Sequence, residues 1–213
     1  IVVTALDLGL KKDSTAISTV HSLPVEKGAP PRLRLLRQDV LTGSTDSPVL
    51  IREVERLLLS HQKDYFSYPT LADPWNTQSL IQNYPGVIQE WTFTAAHVRE
   101  LTQILYSVIS NSQLQLYPNC APAIQDTERW DLQRELIQAV MKEMSYGQRI
   151  DHQSGGYSDR VMSLGMCVHY LLVDSTVQRI QKKVEKTTPE WTEKIITEWN
   201  DPPVGKGLLH IGG

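Results

Sequence analysis

The sequence predicts an α/β fold: a mixed sheet of three antiparallel strands followed by parallel βα units, with helices on both faces. Two observations carry this prediction. The chain begins with short runs of β-branched residues, and from about residue 47 the spacing changes to amphipathic helices that alternate with short strands. Short links favour antiparallel pairing of the first runs, whereas helical connections favour parallel pairing of the later ones.

The first three strands are predicted from composition. Residues 1–7 are a compact β-branched run that ends at Asp7, and residues 15–21 are rich in Thr, Ile and Val. Residues 32–41 give the third strand after a loop that contains proline and glycine. The sequence therefore predicts a meander of three neighbouring strands.

Helix signals begin after the third strand. Ser47 and Pro48 predict an N-cap and a proline in the first helical position, ahead of an apolar stripe that includes Leu50, Val54 and Leu58. The later elements are predicted in the following order: strand 69–73, helix 75–84, strand 86–91, a helix capped by Thr94, strand 114–117, helix 124–144, a polar loop 148–156 and helix 157–173.

The composition changes after Asp174. Residues 176–200 have the mixed charge of solvated helices, and residues 201–213 hold two prolines and four glycines. We therefore expect two parts: a folded domain over residues 1–175, and a C-terminal helical segment with a flexible tail over residues 176–213. Because the sequence starts inside a strand pattern and without Met, we also expect it to be part of a longer protein.

Composition excludes several classes of protein. No stretch of the 213 residues approaches the roughly 18 apolar residues of a membrane-spanning helix, and no basic and apolar leader is visible. Cys120 and Cys167 are far apart, which argues against a disulfide framework or a cysteine-rich zinc site. The net charge is −3, so binding to DNA would need bound cations or a larger assembly to supply affinity.

Three aspartates stand where strand ends and a helix start can meet. Asp7 ends the first strand, Asp73 ends the fourth, and Asp159 lies in the first turn of the last helix. Three converging carboxylates repel one another unless cations neutralise them, and hard oxygen ligands suit Mg²⁺ or Mn²⁺. Two such ions about 4 Å apart can hydrolyse a phosphodiester. Each aspartate alone also fits ordinary turn or helix-start chemistry, so both interpretations stay open.

Four short segments resemble, in the same order, motifs of one protein family. They are TALDLG at 4–9, KDSTAI at 12–17, LADP at 71–74 and GYSDRVMSLG at 156–165. Together they resemble the nuclease domain of the large terminase subunit of tailed bacteriophages. The resemblance extends over roughly residues 1–173 in the order and spacing of elements.

This resemblance implies an RNase H-like fold and a metal-dependent endonuclease that cuts concatemeric double-stranded viral DNA during genome packaging, with little sequence specificity. Asp7, Asp73 and Asp159 would be the catalytic metal ligands for two Mg²⁺ or Mn²⁺ ions, and Asp13 would assist a metal. The implied partners are DNA, the ATPase domain of the same large terminase, the portal and the small terminase. The implied location is the host cytoplasm during virus assembly, without secretion and without a membrane.

The sequence departs from the family at two points. The last motif of the family often has two adjacent acids preceded by His, whereas here Tyr157 and Ser158 leave Asp159 as its only acid. The phosphate-binding loop of the ATPase domain, GxxxxGK[ST], does not occur, so we do not expect this chain to translocate DNA.

Several cations are predicted to contact the DNA backbone, because no base-reading motif is present. The predicted DNA-binding residues are Lys11, Lys12, Arg32, Arg34 and Arg160.

Asp151 and His152 precede the last motif and are weaker candidates for the metal or substrate edge.

Other classes of function also fit parts of the sequence. Asp7 and Gly9 followed by Ser14 and Thr15 resemble the first phosphate loop of actin-like and sugar-kinase-like ATP phosphotransferases. Within the RNase H-like group, a junction resolvase or transposase is a further alternative. A non-catalytic docking module that keeps its acids for structure is the third.

Overall fold

The sheet contains six strands in the order β5-β4-β1-β2-β3-β6. The computed structural model describes residues 1–10, 14–26, 28–117, 120, 131–145, 147–152 and 158–173. The strands of the sheet are β1 Val2–Asp7, β2 Thr15–Leu23, β3 Arg32–Leu41, β4 Thr70–Ala72, β5 Ile88–Glu90 and β6 Leu114–Gln115. The first three pair antiparallel, and the other three pair parallel with their neighbours, which confirms the predicted mixed sheet.

Five helices and a hairpin complete the described residues. The helices are α1 Ile51–Tyr65, α2 Pro74–Asn83, α3 Ala95–Ser110, α4 Leu132–Gln138 and α5 Asp159–Val173, and the hairpin strands are β7 Ala139–Met144 and β8 Gly147–His152. No helix in these described ranges is long and apolar enough to cross a bilayer. The described residues belong to one unit, Ile1–Val173, and the predicted C-terminal segment lies outside them.

Each face of the sheet is covered by a different set of helices. On one face Leu6 and Ile17 join an apolar cluster with Val54 of α1 and Leu80 of α2. On the other face α5 packs on β1 and β2, and α3 packs on α5. This confirms the prediction of helices on both faces, and it follows from the alternation of side chains along each strand.

A glycine permits the close approach of α3 and α5. A Cβ added at Gly165 would lie 2.6 Å from Cδ2 of Leu101, which is closer than any ordinary carbon contact. α5 is buried on almost all sides from Arg160 to Tyr170, as the two apolar stripes of its sequence predict. The helix that begins with Asp159 is therefore fixed between the sheet and α3.

One prediction of secondary structure is wrong. The helix predicted over 124–144 ends at Gln138 within the described residues, and the loop predicted from 148 is a strand as far as His152. Ala139 has extended backbone angles, and residues 139–144 pair antiparallel with 147–152. Because residues 139–144 contain no glycine or proline, only pairing with β8 selects a strand there.

The start of α1 also differs from the prediction. Its N-cap is Leu50 instead of Ser47. The backbone N–H of Val49 donates to the carbonyl of Leu10 at 2.9 Å, and Gly43 lies against the same carbonyl. This contact ties residue 49 to the loop after β1, and the helix begins at residue 51.

Candidate active site

Asp7 and Asp73 lie side by side at one edge of the sheet. Strands β1 and β4 are parallel, with Leu6 opposite Ala72, so the next position along each chain is an aspartate. Asp73 keeps an extended backbone as the N-cap of α2, which continues the register by one residue. Neighbouring strands are about 4.8 Å apart, and residues in register share a face. The structure therefore brings these two predicted site residues together.

Asp159 reaches the same edge from α5. The backbone N–H of Ser14 donates to Oδ2 of Asp159 at 3.1 Å. Ser14 stands immediately before β2, in which Ala16 is the register partner of Asp7. Three acids from distant parts of the sequence are thus placed at one edge of the fold, where β1 ends, β2 begins and α5 begins.

The acids also share a face of the sheet. Ser18 of β2 is the register partner of Ala5, and its hydroxyl lies 2.7 Å from the hydroxyl of Ser163 in α5. Because side chains two residues apart in a strand share a face, Asp7 is on the α5 side of the sheet, as Ala5 is. Asp159 lies one helical turn before Ser163, toward the acidic edge.

The three carboxylates do not form a closed cage. Within the described part of the chain, no group of three or more Asp, Glu, His or Cys side chains is arranged to hold a metal ion. Asp13, the fourth predicted ligand, lies outside the described residues. What the fold provides is a shared edge of hard oxygen donors, the ligand chemistry that Mg²⁺ and Mn²⁺ prefer.

The environment of Asp73 fits a cation partner. Burial raises the pKa of the Asp73 carboxyl above its ordinary value, and the backbone N–H groups of Phe93 and Trp75 oppose that shift only in part. A desolvated carboxylate gains more from a nearby positive charge than a solvated one does. The donor set and the burial of Asp73 are therefore compatible with a divalent ion at this edge.

A buried ion pair fixes the start of α5. Nη1 of Arg160 lies 2.6 Å from Oε1 of Glu135, and the two residues are 2% and 1% exposed. The other carboxylate oxygen of Glu135 accepts the backbone N–H groups of Arg160 and Val161, at 3.1 and 3.2 Å. Glu135 thus caps the helix on which Asp159 is the first residue.

This ion pair corrects the prediction that Arg160 contacts DNA. Its guanidinium is buried against Glu135, where no phosphate can reach it. Sequence reasoning missed Glu135 altogether. A signal was present, because Glu135 lies three residues after the apolar Leu132 and therefore on the buried side of α4.

Gln38 connects this ion pair to the sheet. Its side-chain amide donates to the hydroxyl of Ser18 at 2.6 Å and to the carbonyl of Arg160 at 2.9 Å. A buried polar network therefore runs from β3 through β2 to the first turn of α5. This network holds Asp159 in a defined place.

The two remaining predicted cations that the structure describes, Arg32 and Arg34, lie far along β3 from the acidic edge. Arg32 and Arg34 are exposed at the start of β3, while Val40, opposite Ala16, marks the acidic end. At 3.3 Å per residue, Arg34 and Arg32 are about 20 and 26 Å along the strand from Val40. Lys11 and Lys12 lie outside the described residues.

Asp151 lies in the hairpin, where it forms two ion pairs. Its carboxylate is 2.7 Å from Nζ of Lys142 and 3.3 Å from a guanidinium nitrogen of Arg149. These neighbours are on β7 and on β8 itself, so both ion pairs lie within the hairpin. His152 is the last residue of β8.

Solved structures share this fold. The large terminase of bacteriophage HK97 matches with a TM-score of 0.60 and 14% identity over 78% of this chain and 38% of that chain. The large terminase nuclease of thermophilic phage G20c matches with a TM-score of 0.56 and 17% identity over 81% of this chain and 82% of that chain. A mutant nuclease domain of the large terminase subunit of bacterial virus Sf6, solved with manganese and β-thujaplicinol, matches at a TM-score of 0.46, 15% identity, and 79% and 87% of the two chains.

These likenesses define the class of fold. The chain has the RNase H-like mixed sheet of large terminase nucleases, as its motifs predict. It spans 38% of the HK97 chain, so it corresponds to one part of that protein. No protein-family profile and no curated protein sequence matches the chain.

Proposed function

We propose that this chain is the metal-dependent endonuclease domain of a viral DNA-packaging motor, the large terminase. It hydrolyses phosphodiester bonds of concatemeric double-stranded DNA with little sequence specificity. The observation that supports the proposal is that Asp7 and Asp73 follow register partners in adjacent parallel strands, while Asp159 accepts a hydrogen bond from Ser14 at the start of β2. The two terminase structures of the same fold support it.

The aspartates have distinct tasks in this proposal. Asp7, Asp73 and Asp159, assisted by Asp13, hold two Mg²⁺ or Mn²⁺ ions. When bound, such ions lower the pKa of water and neutralise charge on the leaving oxygen. The N–H of Ser14 orients the carboxylate of Asp159, and Glu135 keeps the first turn of α5 in place. Partial burial prepares Asp73 to pair with a cation.

Contacts to the DNA backbone come from residues near the acids. Lys11 and Lys12 follow Asp7 closely in sequence and are the predicted phosphate contacts. Arg32 and Arg34 can meet only DNA that extends about 20 Å beyond the acidic edge. Because the net charge is −3, we expect intrinsic affinity for DNA to be weak in the absence of divalent ions.

The proposed partners follow from the likeness of this chain to part of a longer large terminase chain. In the whole large terminase the domain would act with an ATPase domain, and the assembled motor would include the portal and the small terminase. It would work in the host cytoplasm during virus assembly. Attachment to a motor would supply the DNA affinity that the charge of this chain does not.

A plasmid-nicking assay tests the proposal. Wild type is expected to cut supercoiled plasmid with Mn²⁺ or Mg²⁺ and to stop with EDTA. Asp73→Asn is expected to lose at least about 100-fold, because an amide cannot supply the charge that holds the ion. Asp64→Asn, which makes the same chemical change at an exposed ion pair with Arg37, is the matched control and should cut as wild type does.

Three results would point elsewhere. Cutting that persists in EDTA would contradict metal dependence. Equal cutting by wild type and Asp73→Asn would remove the acidic edge from the reaction. An ATP-induced rise in melting temperature without any metal-dependent cutting would favour the phosphotransferase alternative.

A further inference from the structure

The most exposed large aromatic side chain in the described ranges is Trp75, at 86%. Exposing a whole indole forgoes the free energy of burying one of the largest apolar side chains. The chain does bury an indole elsewhere, since Trp91 is only 6% exposed. The place of Trp75 in the fold therefore matters.

Trp75 stands at the acidic edge. It is the second residue after Asp73, so its Cα is at most about 7.6 Å from that of Asp73. Its backbone N–H makes a hydrogen bond with the Asp73 carboxyl. A phosphate held by a divalent ion at Asp73 would therefore have Trp75 within reach of the adjoining nucleotide.

The backbone around Trp75 is fixed to both strands that carry acids. The side-chain amide of Asn76 donates to the carbonyl of Leu8, the residue after Asp7, at 3.3 Å. The hydroxyl of Thr77 donates to the carbonyl of Asp73. The first turn of α2 is thus tied to Leu8, the residue after Asp7, and to Asp73, and the exposed Trp75 belongs to that turn.

We propose that Trp75 stacks on a base of the DNA strand that is cut, at a step where that base is unstacked from its neighbour, next to the phosphate that a divalent ion at Asp73 would hold. This inference rests on the proposed nuclease function. A chain of net charge −3 gains little from charge alone, whereas stacking of an aromatic ring on a base is attractive irrespective of charge and of sequence. The indole therefore positions the strand and favours no particular base.

Phe66 provides a matched control. It is 85% exposed, nearly as exposed as Trp75, and it caps α1. Two residues later, the N–H of Tyr68 donates to the carbonyl of Val2 at the opposite end of β1 from Asp7. Phe66 is therefore an equally exposed aromatic residue far from the acids.

The test measures oligonucleotide cutting and tryptophan fluorescence on the full chain. Stacking worth about 1–3 kcal/mol predicts that Trp75→Ala raises KM for a short duplex by about 5- to 150-fold. Trp75→Phe should stay within about threefold of wild type, and Phe66→Ala should be unchanged. With Ca²⁺ in place of Mn²⁺ to slow cutting, the duplex should quench wild-type fluorescence, and Trp75→Phe should lose most of that quenching.

The outcomes separate this inference from the function on which it rests. If wild type cuts but Trp75→Ala has the same KM and Trp75→Phe the same quenching, the stacking role is overturned and Trp75 is assigned to a protein interface. If wild type does not cut with either metal, the proposed function fails, and quenching in Ca²⁺ still decides whether Trp75 contacts DNA. If Trp75→Ala does not fold, the quenching of Trp75→Phe decides.

Discussion

Two buried polar networks lie on opposite faces of the sheet, and they end in different places. On the α5 face, Gln38, Arg160 and Glu135 lead to Asp159 at the acidic edge. On the α1 face, hydrogen bonds join side chains of β1, β2, β3 and α1 and end at a surface ion pair of Arg37 with Asp64. A buried polar network by itself therefore does not indicate a functional site. The residue that the network positions, here Asp159, is what indicates one.

The α1-face network is centred on His61, which is fully buried. Its Nδ1 lies 2.6 Å from the hydroxyl of Thr19, and its Nε2 lies 2.9 Å from the carboxylate of Asp39. A hydroxyl, a histidine and a carboxylate in a row are also the residue types of a catalytic relay. Both Thr19 and His61 are 0% exposed, however, so no substrate can reach the hydroxyl, and the network serves stability.

The largest effect is expected from the α5 network. Glu135→Gln leaves Arg160 as a buried charge without its counter-ion, which typically costs about 3–5 kcal/mol of unfolding free energy. Urea unfolding measures the loss, and Lys142→Gln is the control: Lys142 is half-exposed and Asp151 keeps Arg149 as a partner, so the loss should be within about 1 kcal/mol. Equal losses in the two variants would contradict the assignment of Glu135 as the cap of α5.

An intermediate effect is expected from the α1 network. His61→Asn should cost about 1–3 kcal/mol, because a buried hydrogen-bonding group is left unpaired. Cutting by the remaining folded protein should be unchanged, since this network does not touch Asp159. Cutting activity normalised to the folded fraction from circular dichroism tests this, and a selective loss of cutting would show that the two networks communicate.

Acid should also weaken the α1 network. Burial lowers the pKa of His61 below its ordinary value, although Asp39 opposes this, so the unfolded chain binds a proton that the folded chain resists. The contribution of neutral His61 to the free energy of unfolding should therefore be complete above about pH 6.5. It should fall as the pH drops below that value. Asp39, whose pKa is lowered chiefly by its hydrogen bond to His61 against the effect of burial, adds a loss in the same direction at lower pH.

Urea unfolding at a series of pH values measures this acid sensitivity. The charged groups that face His61 are Asp39, Arg37 and Asp64. The variant His61→Asn should reduce the change of unfolding free energy with pH near pH 6. His21 also has a lowered pKa, from burial, and His21→Asn is therefore the matched control that should leave most of the slope. The opposite ranking of the two variants would contradict the role given to His61.

The smallest effect is expected where the α1 network reaches solvent. Asp64→Asn breaks an ion pair with Arg37 in which Asp64 is half-exposed, and exposed pairs contribute about 0–1 kcal/mol. Urea unfolding should show a change in that range, and less at high salt. A loss as large as that of Glu135→Gln would mean that the network stabilises the fold through its surface end.

The sequence determines the sheet better than it determines the site. The strand over residues 15–23 is rich in β-branched residues, and the strand over residues 32–41 begins with alternating charged and apolar residues. Both strands are therefore predictable from local composition. The acids Asp7 and Asp73 are predictable because each directly follows such a run. The hairpin after Gln138 is not, since residues 139–144 fit a helix as well, and only pairing with β8 decides.

Two features of the site depend on tertiary contact and could not be predicted. Arg160 follows an acid of the last motif, where a role at a phosphate is reasonable; its burial against Glu135 requires knowing where α4 packs. Trp75 follows Asp73 in a short helix, and nothing in its sequence neighbours distinguishes a buried indole from an exposed one. Sequence patterns report local structure, whereas these residues report how distant segments meet.

Direct titration of Mn²⁺ is the most immediate test of the central claim that Asp7, Asp73 and Asp159 share one metal-binding edge. Calorimetry on the wild-type chain and on Asp7→Asn, each shown to be folded by circular dichroism, compares binding without any need for cutting. We predict saturable binding to wild type and a loss of at least about tenfold in affinity for Asp7→Asn. Equal affinity in the two proteins, or no binding to wild type, would contradict the claim.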